Sequence, residues 1–178
     1  MKTTELYGYT DIVGRILSEW RARAVLPLIA GNLMDLACGD NRLVKRYGTG
    51  VGVDIVKYKD VDLTVDDLSD LPFRDHEFDT VTILAALNYF ENPGSVLREV
   101  SRVLKPDGTV LVTFLSHNIS RIWHSFWERE ITPRPAFREP ELAGYLQTAD
   151  MNVVKKRTFM FGLNTIYFIK KRAGCRHP

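Results

Sequence analysis

Cysteine and long apolar runs are both scarce in this sequence. The two cysteines, Cys38 and Cys175, are too few and too widely spaced for a disulfide framework or a metal pair, which fits a reducing cytoplasm. No run approaches the ~20 apolar residues that a membrane-spanning helix needs. Residues 1–6 lack the charged start and apolar stretch of a signal peptide. We therefore expect a soluble, cytoplasmic protein with no membrane partner.

An excess of either charge is also absent. The net charge is +2 and the isoelectric point is about 8.5. Basic residues interleave with acidic ones until Lys170-Lys171-Arg172 and Arg176 near the end. Nucleic-acid binding needs Lys and Arg gathered on one face, so no nucleic-acid partner is expected. We interpret the basic tail as a solvated end of the chain, with a patch for an anionic partner as the alternative.

Glycine is missing from the first predicted loop at two of the three positions that a dinucleotide site requires. Such a site needs G-x-G-x-x-G, so that a pyrophosphate can lie on a helix N-terminus. The loop here runs Ala37-Cys38-Gly39-Asp40-Asn41-Arg42 and has one glycine. No diphosphate pocket is therefore expected, which disfavours an NAD-dependent oxidoreductase.

The same loop has the features of a site for a single nucleoside. The first strand runs apolar into Asp35 and is followed by a tight turn, and residues 51–54 read as a second strand ending at Asp54. Gly39 lacks the Cβ that would keep a ligand away from the backbone. A carboxylate at the end of the second strand is placed to accept hydrogen bonds from a ribose diol, while the N–H groups of the loop face the ligand.

Four segments in order resemble the class I S-adenosylmethionine-dependent methyltransferases, in a compact small-molecule-type variant similar to methyltransferase type 11. They are Asp35-x-x-x-Gly39 followed by Asp54, and residues 67–73, 78–81 and 98–108. The resemblance spans residues 30 to 115. It implies an α/β, Rossmann-like, seven-stranded, mostly parallel sheet with helices on both faces and a C-terminal antiparallel strand pair. It also implies S-adenosyl-L-methionine as cofactor and S-adenosyl-L-homocysteine as product.

The resemblance also assigns cofactor contacts. In the family, a carboxylate at the position of Asp67 accepts the adenine amino group, and the next N–H, here of Leu68, meets a ring nitrogen; Asp66 is the neighbouring alternative. The full set of expected cofactor-binding residues is Asp35, Ala37, Cys38, Gly39, Asp54, Ile55, Asp67, Leu68 and Leu84.

Two loop positions depart from the family pattern. The family usually has glycine where Ala37 stands and often where Asn41 stands. Alanine is the mildest replacement, and asparagine tolerates a left-handed backbone. We expect the loop to keep its path.

The chain is expected to form one domain, residues 1–178. An N-terminal helical segment occupies residues 1–30, and a variable cap occupies residues 116–140. The remaining predicted elements are a short helix over 42–47, strands over 61–65, 80–87 and 109–115, a helix over 93–104, a turn at 105–108, a helix over 141–150, and strands over 151–161 and 163–171.

Methyl transfer from a sulfonium releases a neutral thioether, so the leaving group needs no acid and a base is optional. The base candidates are His117 and His124 after the fifth strand, each with a non-catalytic surface or core role as the alternative. Tyr89 is a further candidate, although Asn88-Tyr89 stands where close relatives often carry Glu-His, so no acid–base role carries over. The two histidines do not have a metal-ligand spacing, and no metal is expected.

The acceptor is predicted from the cap. Trp123, Phe126 and Trp127 recur there at helical spacing, which is typical of core but also of the wall of an apolar pocket. We expect a small, apolar or aromatic acceptor. The alternative is a non-catalytic binding module or partner subunit with the same fold. The oligomeric state is left open.

Overall fold

A seven-stranded sheet organises the part of the chain that the computed structural model describes, residues 12–115 and 137–172. The strands stand in the order β3-β2-β1-β4-β5-β7-β6. Neighbours among β1 to β5 are parallel, and the last two strands are antiparallel. This confirms the predicted fold class. The strands are β1 Leu33–Leu36, β2 Val51–Asp54, β3 Leu63–Thr64, β4 Phe78–Leu84, β5 Leu104–Leu115, β6 Met151–Phe159 and β7 Asn164–Lys171.

Helices cover both faces of the sheet. They are α1 Ile12–Val25, α2 Arg42–Tyr47, α3 Pro93–Val103 and α4 Glu139–Thr148. Side chains alternate along β5, so Leu111 packs with α1 and α2, whereas Val110 and Val112 pack with α3 and α4. The parallel strands are therefore buried on both sides, which explains why β4 reads as a continuous apolar and β-branched run.

Helix α3 shows how local sequence sets an element. The Asn92 side chain caps its start by accepting the backbone N–H of Ser95 at 3.3 Å, and Pro93 occupies the first turn. Val96, Val100 and Val103 recur at spacings of four and three and are buried against the sheet. The helix ends one residue before the predicted boundary, where Leu104 turns extended to begin β5.

The boundaries of β4 and β5 differ from those predicted. Strand β4 was expected over 80–87, but it ends at Leu84 because Ala85 takes a left-handed φ of 54°. The predicted turn at 105–108 lies inside β5, which bulges there: Phe78 pairs with Leu104, and Thr80 pairs with Thr109. The bulge absorbs the extra residues without ending the strand.

Three further predicted boundaries shift. Helix α4 begins at Glu139 because Pro140 fits its first turn, where a missing N–H removes no helical bond. Strand β3 shrinks to two residues, and β6 ends at Phe159 because residues 160–162 are all left-handed. Expectations for residues 1–11 and 116–136, which include most of the cap, lie outside the described residues.

Helix α1 ends at Val25, and a 3₁₀ turn over Leu26–Leu28 carries the chain to β1, with Pro27 inside that turn. None of the helices within 12–115 and 137–172 is long and apolar enough to cross a membrane.

Candidate cofactor site

The loop that joins β1 to α2 is built from three left-handed residues. Ala37, Gly39 and Asn41 have φ values of 57°, 57° and 56°. Asn41 tolerates this conformation as predicted, while Ala37 pays a steric cost because its Cβ crowds the backbone. The loop therefore follows the path that glycines would take, and its turn lies at the carboxyl end of β1, where open α/β sheets bind ligands.

The Asn41 side chain stabilises this loop by hydrogen bonds to the segment before β3. Its Nδ2 donates to the backbone oxygen of Asp60 at 2.9 Å and to Oδ2 of Asp62 at 2.8 Å. The same Asp62 oxygen accepts the backbone N–H of Gly52 at 2.8 Å. Asn41 is 1% exposed. One buried amide thus holds the loop, β2 and the segment before β3 together.

Asp54 joins the end of β2 to the loop. Its Oδ2 accepts the backbone N–H of Gly39 at 2.9 Å, and its Oδ1 accepts that of Val56 at 3.0 Å. Each carboxylate oxygen has a second lone pair, so both can still accept a hydroxyl. The two residues that the motif singled out, Gly39 and Asp54, are therefore in direct contact.

A shallow pocket, open to solvent on one side, lies between α1, this loop and the end of β4. Four of the predicted residues line it: Asp35, Ala37, Cys38 and Leu84. Five other lining residues were missed by sequence reasoning: Ser18, Ala22, Asp40, Arg42 and Leu43. The apolar spacing of residues 12–24 predicted a helix face that packs on the sheet, but Ile16 and Trp20 of that face are exposed, and the pattern gave no indication that the helix also lines a pocket. The only indication of Arg42 in the sequence was its position directly after the loop of residues 37–41.

Asp35 is the buried carboxyl group of this pocket. Thr82 donates its hydroxyl to Oδ1 of Asp35 at 2.6 Å. Burial raises the pKa of Asp35 to about 7, partly offset by the Thr82 hydrogen bond and reinforced by the charges of Asp54 and Asp40. This carboxyl group therefore changes its charge near neutral pH.

Arg42 and Asp40 place opposite charges at the pocket wall. The Arg42 Nε donates to the Asp40 carboxylate, and both side chains remain about a third exposed. Cys38, beside them, is different in character: burial raises the pKa of its thiol, with Asp35 adding to the effect. The thiol is therefore neutral and is not an activated nucleophile.

The predicted adenine contacts lie outside this pocket. Asp67 is exposed, and its Oδ1 accepts the backbone N–H of Ser69 at 2.7 Å, a bond that lowers the pKa of Asp67. Leu68 is 6% exposed and belongs to the core, and Ile55 is 48% exposed after β2. The predicted residues that line the pocket and the predicted adenine contacts therefore lie at separate parts of the sheet edge.

Tyr89, a predicted base candidate, lies half-buried in a 3₁₀ turn over Leu87–Tyr89 that follows β4. His117 and His124 lie outside the described residues. In the part of the chain that the structure covers, no three His, Cys, Asp or Glu side chains are grouped to hold a metal ion.

Residues 34–112 match the family described as "Methyltransferase domain". The demethylmenaquinone methyltransferase of Paenarthrobacter aurescens is 28% identical to this chain over 139 residues, which cover 66% of this chain and 54% of the relative. The chain thus spans about half the length of the curated relatives it matches.

Two solved structures share the fold. A SAM-dependent methyltransferase from Thermotoga maritima has a TM-score of 0.72 at 17% identity, covering 89% of this chain and 90% of its own. The 1,6-didemethyltoxoflavin-N1-methyltransferase of Burkholderia thailandensis, with bound 1,6-didemethyltoxoflavin and S-adenosylhomocysteine, has a TM-score of 0.67 at 18% identity, covering 89% and 81%. The chain therefore has the fold of the class I, Rossmann-like methyltransferases, as its motifs predicted, and residues 34–112 are similar to a methyltransferase domain.

Proposed function

We propose that the chain binds S-adenosylmethionine at the carboxyl edge of its sheet and transfers the methyl group to a small, apolar or aromatic acceptor. The observation that carries this proposal is the contact between Gly39 and Asp54, which ties the loop below the pocket to the carboxylate that would receive the ribose.

The donor set of the pocket fits the amino-acid end of this cofactor. That end carries an ammonium and a carboxylate, and the pocket offers the carboxyl groups of Asp35 and Asp40 together with the guanidinium of Arg42. The ammonium would lie with the carboxyl groups, and the carboxylate with Arg42. Asp54 would hold the ribose hydroxyls. Asp67, the Leu68 N–H and Ile55 would hold the adenine ring.

The bound cofactor supplies an electrophilic methyl group on a positively charged sulfur. The chain's own residues contribute position and shielding. The loop from Ala37 to Asn41 is fixed by backbone and side-chain hydrogen bonds, so little ordering remains to be done when a ligand binds. Helix α1 lines one side of the pocket with Ser18 and Ala22, and a bound cofactor would displace water from that side. Where the acceptor must lose a proton, Tyr89, His117 or His124 would serve as the base.

The proposed acceptor class is supported by what the related proteins act on. One is named for demethylmenaquinone, and another is bound to 1,6-didemethyltoxoflavin. Both compounds contain flat conjugated rings. We therefore propose an acceptor with a conjugated ring, and a reduced, demethylated quinone is the first to test. We also propose a cytoplasmic location, where the half-buried thiol of Cys38 would stay reduced.

The test is to incubate the chain with S-adenosylmethionine carrying a radioactive methyl group and with reduced demethylmenaquinone that has a short side chain. We expect label in the quinone, and loss of that label in the Asp54→Ala variant. The same assay is run with a panel of other ring compounds. If the chain binds S-adenosylhomocysteine but labels none of these compounds, the proposed methyltransferase activity is rejected and the non-catalytic binding module is favoured.

A further inference from the structure

The turn between β6 and β7 presents a phenylalanine to solvent. Phe161 is 96% exposed. Met160, Phe161 and Gly162 have successive left-handed φ values of 53°, 55° and 83°. Two non-glycine residues in this conformation cost conformational energy. Leu163, the next residue, is 37% exposed.

This turn lies at the same edge of the sheet as the cofactor pocket. Strand β7 begins at Asn164, which pairs with Leu115 at the carboxyl end of β5. Arg21 of α1 donates from Nε to the Asn164 side chain at 3.2 Å. Since α1 also lines the pocket through Ser18 and Ala22, the turn stands beside the helix that covers the pocket.

Helix α1 carries a second exposed apolar pair. Ile16 is 48% exposed and Trp20, one turn later, is 44% exposed. They occupy the side of the helix away from Ser18 and Ala22. We call Ile16, Trp20, Phe161 and Leu163 the apolar rim.

The strands behind the rim are strongly basic. Residues 151–172 contain no Asp or Glu, and their six basic residues are Lys155, Lys156, Arg157, Lys170, Lys171 and Arg172. Most of β6 is exposed along its length. Arg157 reaches α1 and donates to the backbone oxygen of Ala24 at 3.0 Å, while Lys156 pairs with Glu139 at 2.7 Å. Lys155, Lys156 and Arg157 lie in the half of the strand pair nearer the turn, whereas Lys170, Lys171 and Arg172 lie at its other end, where Lys171 pairs with Met151.

We propose that the apolar rim and the basic strand pair form a docking surface for an anionic lipid membrane. Exposed aromatic and aliphatic side chains gain free energy by entering the interface of a bilayer, and neighbouring cations are attracted to anionic headgroups. The phosphates of a nucleic acid could also pair with the cations, but Ile16 and Leu163 are aliphatic and cannot stack on its bases. The proposal replaces the expectation of no membrane partner, which considered only segments that span a bilayer.

The surface would bring the pocket close to the lipid. An acceptor dissolved in the bilayer could then enter beside α1 without crossing water; this consequence rests on the proposed methyl transfer, whereas the docking itself does not. Docking is therefore measured on the whole chain without cofactor or acceptor, and its outcome is independent of the enzymatic test.

The experiment is co-sedimentation with vesicles of phosphatidylcholine alone and of phosphatidylcholine mixed with phosphatidylglycerol. We expect the wild-type chain to bind the mixed vesicles at least about tenfold more strongly, and Phe161→Ser to lose about tenfold of that binding. Ile55→Ser, which alters a side chain 48% exposed after β2, outside both the rim and the basic strand pair, is the matched control and should bind the vesicles as the wild type does.

Circular dichroism and the melting temperature verify that Phe161→Ser folds, and Leu163→Ser provides a second rim variant. Equal, weak sedimentation of the wild-type chain with both vesicles would overturn the proposal. Wild-type binding by both rim variants would also overturn it. Rim-dependent binding of a single-stranded oligonucleotide, without vesicle binding, would overturn it and assign the surface to nucleic acid.

Discussion

Asn41 occupies the space that a side chain at position 52 would need. A Cβ at Gly52 would lie 2.1 Å from Oδ1 of Asn41, far inside van der Waals contact. The Asn41 amide is held there by its bonds to Asp60 and Asp62. The asparagine that stands in place of a loop glycine therefore requires a glycine in the neighbouring strand.

Replacing Gly52 by Ala should destabilise the chain by about 2 kcal/mol, since an added methyl in a filled site forces its neighbours to move. The same replacement in an Asn41→Gly background should cost far less, because the obstructing amide is gone. A double-mutant cycle from urea unfolding measures the difference, and we expect a coupling of at least about 1 kcal/mol. Additive effects of the two replacements would contradict the packing relationship. Gly144→Ala, at a helix position where the added Cβ meets nothing within 4 Å, is the control.

Ala37→Gly should stabilise the loop. The left-handed φ of 57° at Ala37 costs an alanine roughly 1–2 kcal/mol, and glycine does not bear this cost. The gain is partly offset because glycine makes the unfolded chain more flexible. We expect a net gain of up to about 1 kcal/mol in the free energy of unfolding. A loss of stability would show that the Ala37 methyl makes packing contacts worth more than the strain.

Asp35 should make stability depend on pH. Its folded pKa of about 7 lies above the usual carboxyl value of 3.8, so the folded state holds its proton more tightly than the unfolded state does. The resulting contribution is complete below about pH 4 and is lost as the pH rises through 7. Asp35→Asn should remove this decline, which is roughly 4 kcal/mol at 1.36 kcal/mol per pKa unit. Urea unfolding at several pH values measures it, and equal slopes for the two proteins would disprove the assignment.

Arg42→Ala should weaken binding of S-adenosylhomocysteine by about 10–100-fold, because a charge-assisted hydrogen bond to the amino-acid carboxylate is lost. Binding of methylthioadenosine, which lacks the amino-acid group, should stay unchanged. The comparison is made by isothermal titration of both ligands. Arg46→Ala, which removes a cation of α2 that pairs with Glu19 away from the pocket, is the matched control. An equal loss for both ligands would place Arg42 in a general structural role.

The sequence was informative where a backbone requirement limits the residue type. Gly39 and Asp54 were predicted together from a loop that needs an open backbone and a strand that needs a terminal carboxylate, and the structure joins them by a hydrogen bond. The left-handed conformation of Asn41 followed from its tolerance of that region. The order of strands and helices was predicted for the same reason, since hydrophobic period and turn residues are local signals.

Contacts between distant residues were not predictable from those signals. The bonds of Asn41 to Asp60 and Asp62 depend on how β2 and the segment before β3 lie beneath the loop, which no local pattern encodes. Ala85 and Met160 follow the last residues of β4 and β6 in left-handed conformations that the residue types do not favour, so both boundaries were misplaced. Ser18 and Ala22, which line the pocket, were not predicted because no sequence pattern marks their positions on α1.

Equilibrium binding of S-adenosylhomocysteine, measured by isothermal titration calorimetry, tests the cofactor site most directly. The wild-type chain should bind one molecule, and Asp54→Ala should lower the affinity by about 100-fold or more, since two charge-assisted hydrogen bonds to the ribose are lost. Asp67→Ala, which removes the proposed adenine contact, should cost less. The melting temperature of each variant shows that it remains folded. A folded wild-type chain that binds no S-adenosylhomocysteine, or an Asp54→Ala variant with unchanged affinity, would contradict the assignment of this edge of the sheet as the cofactor site.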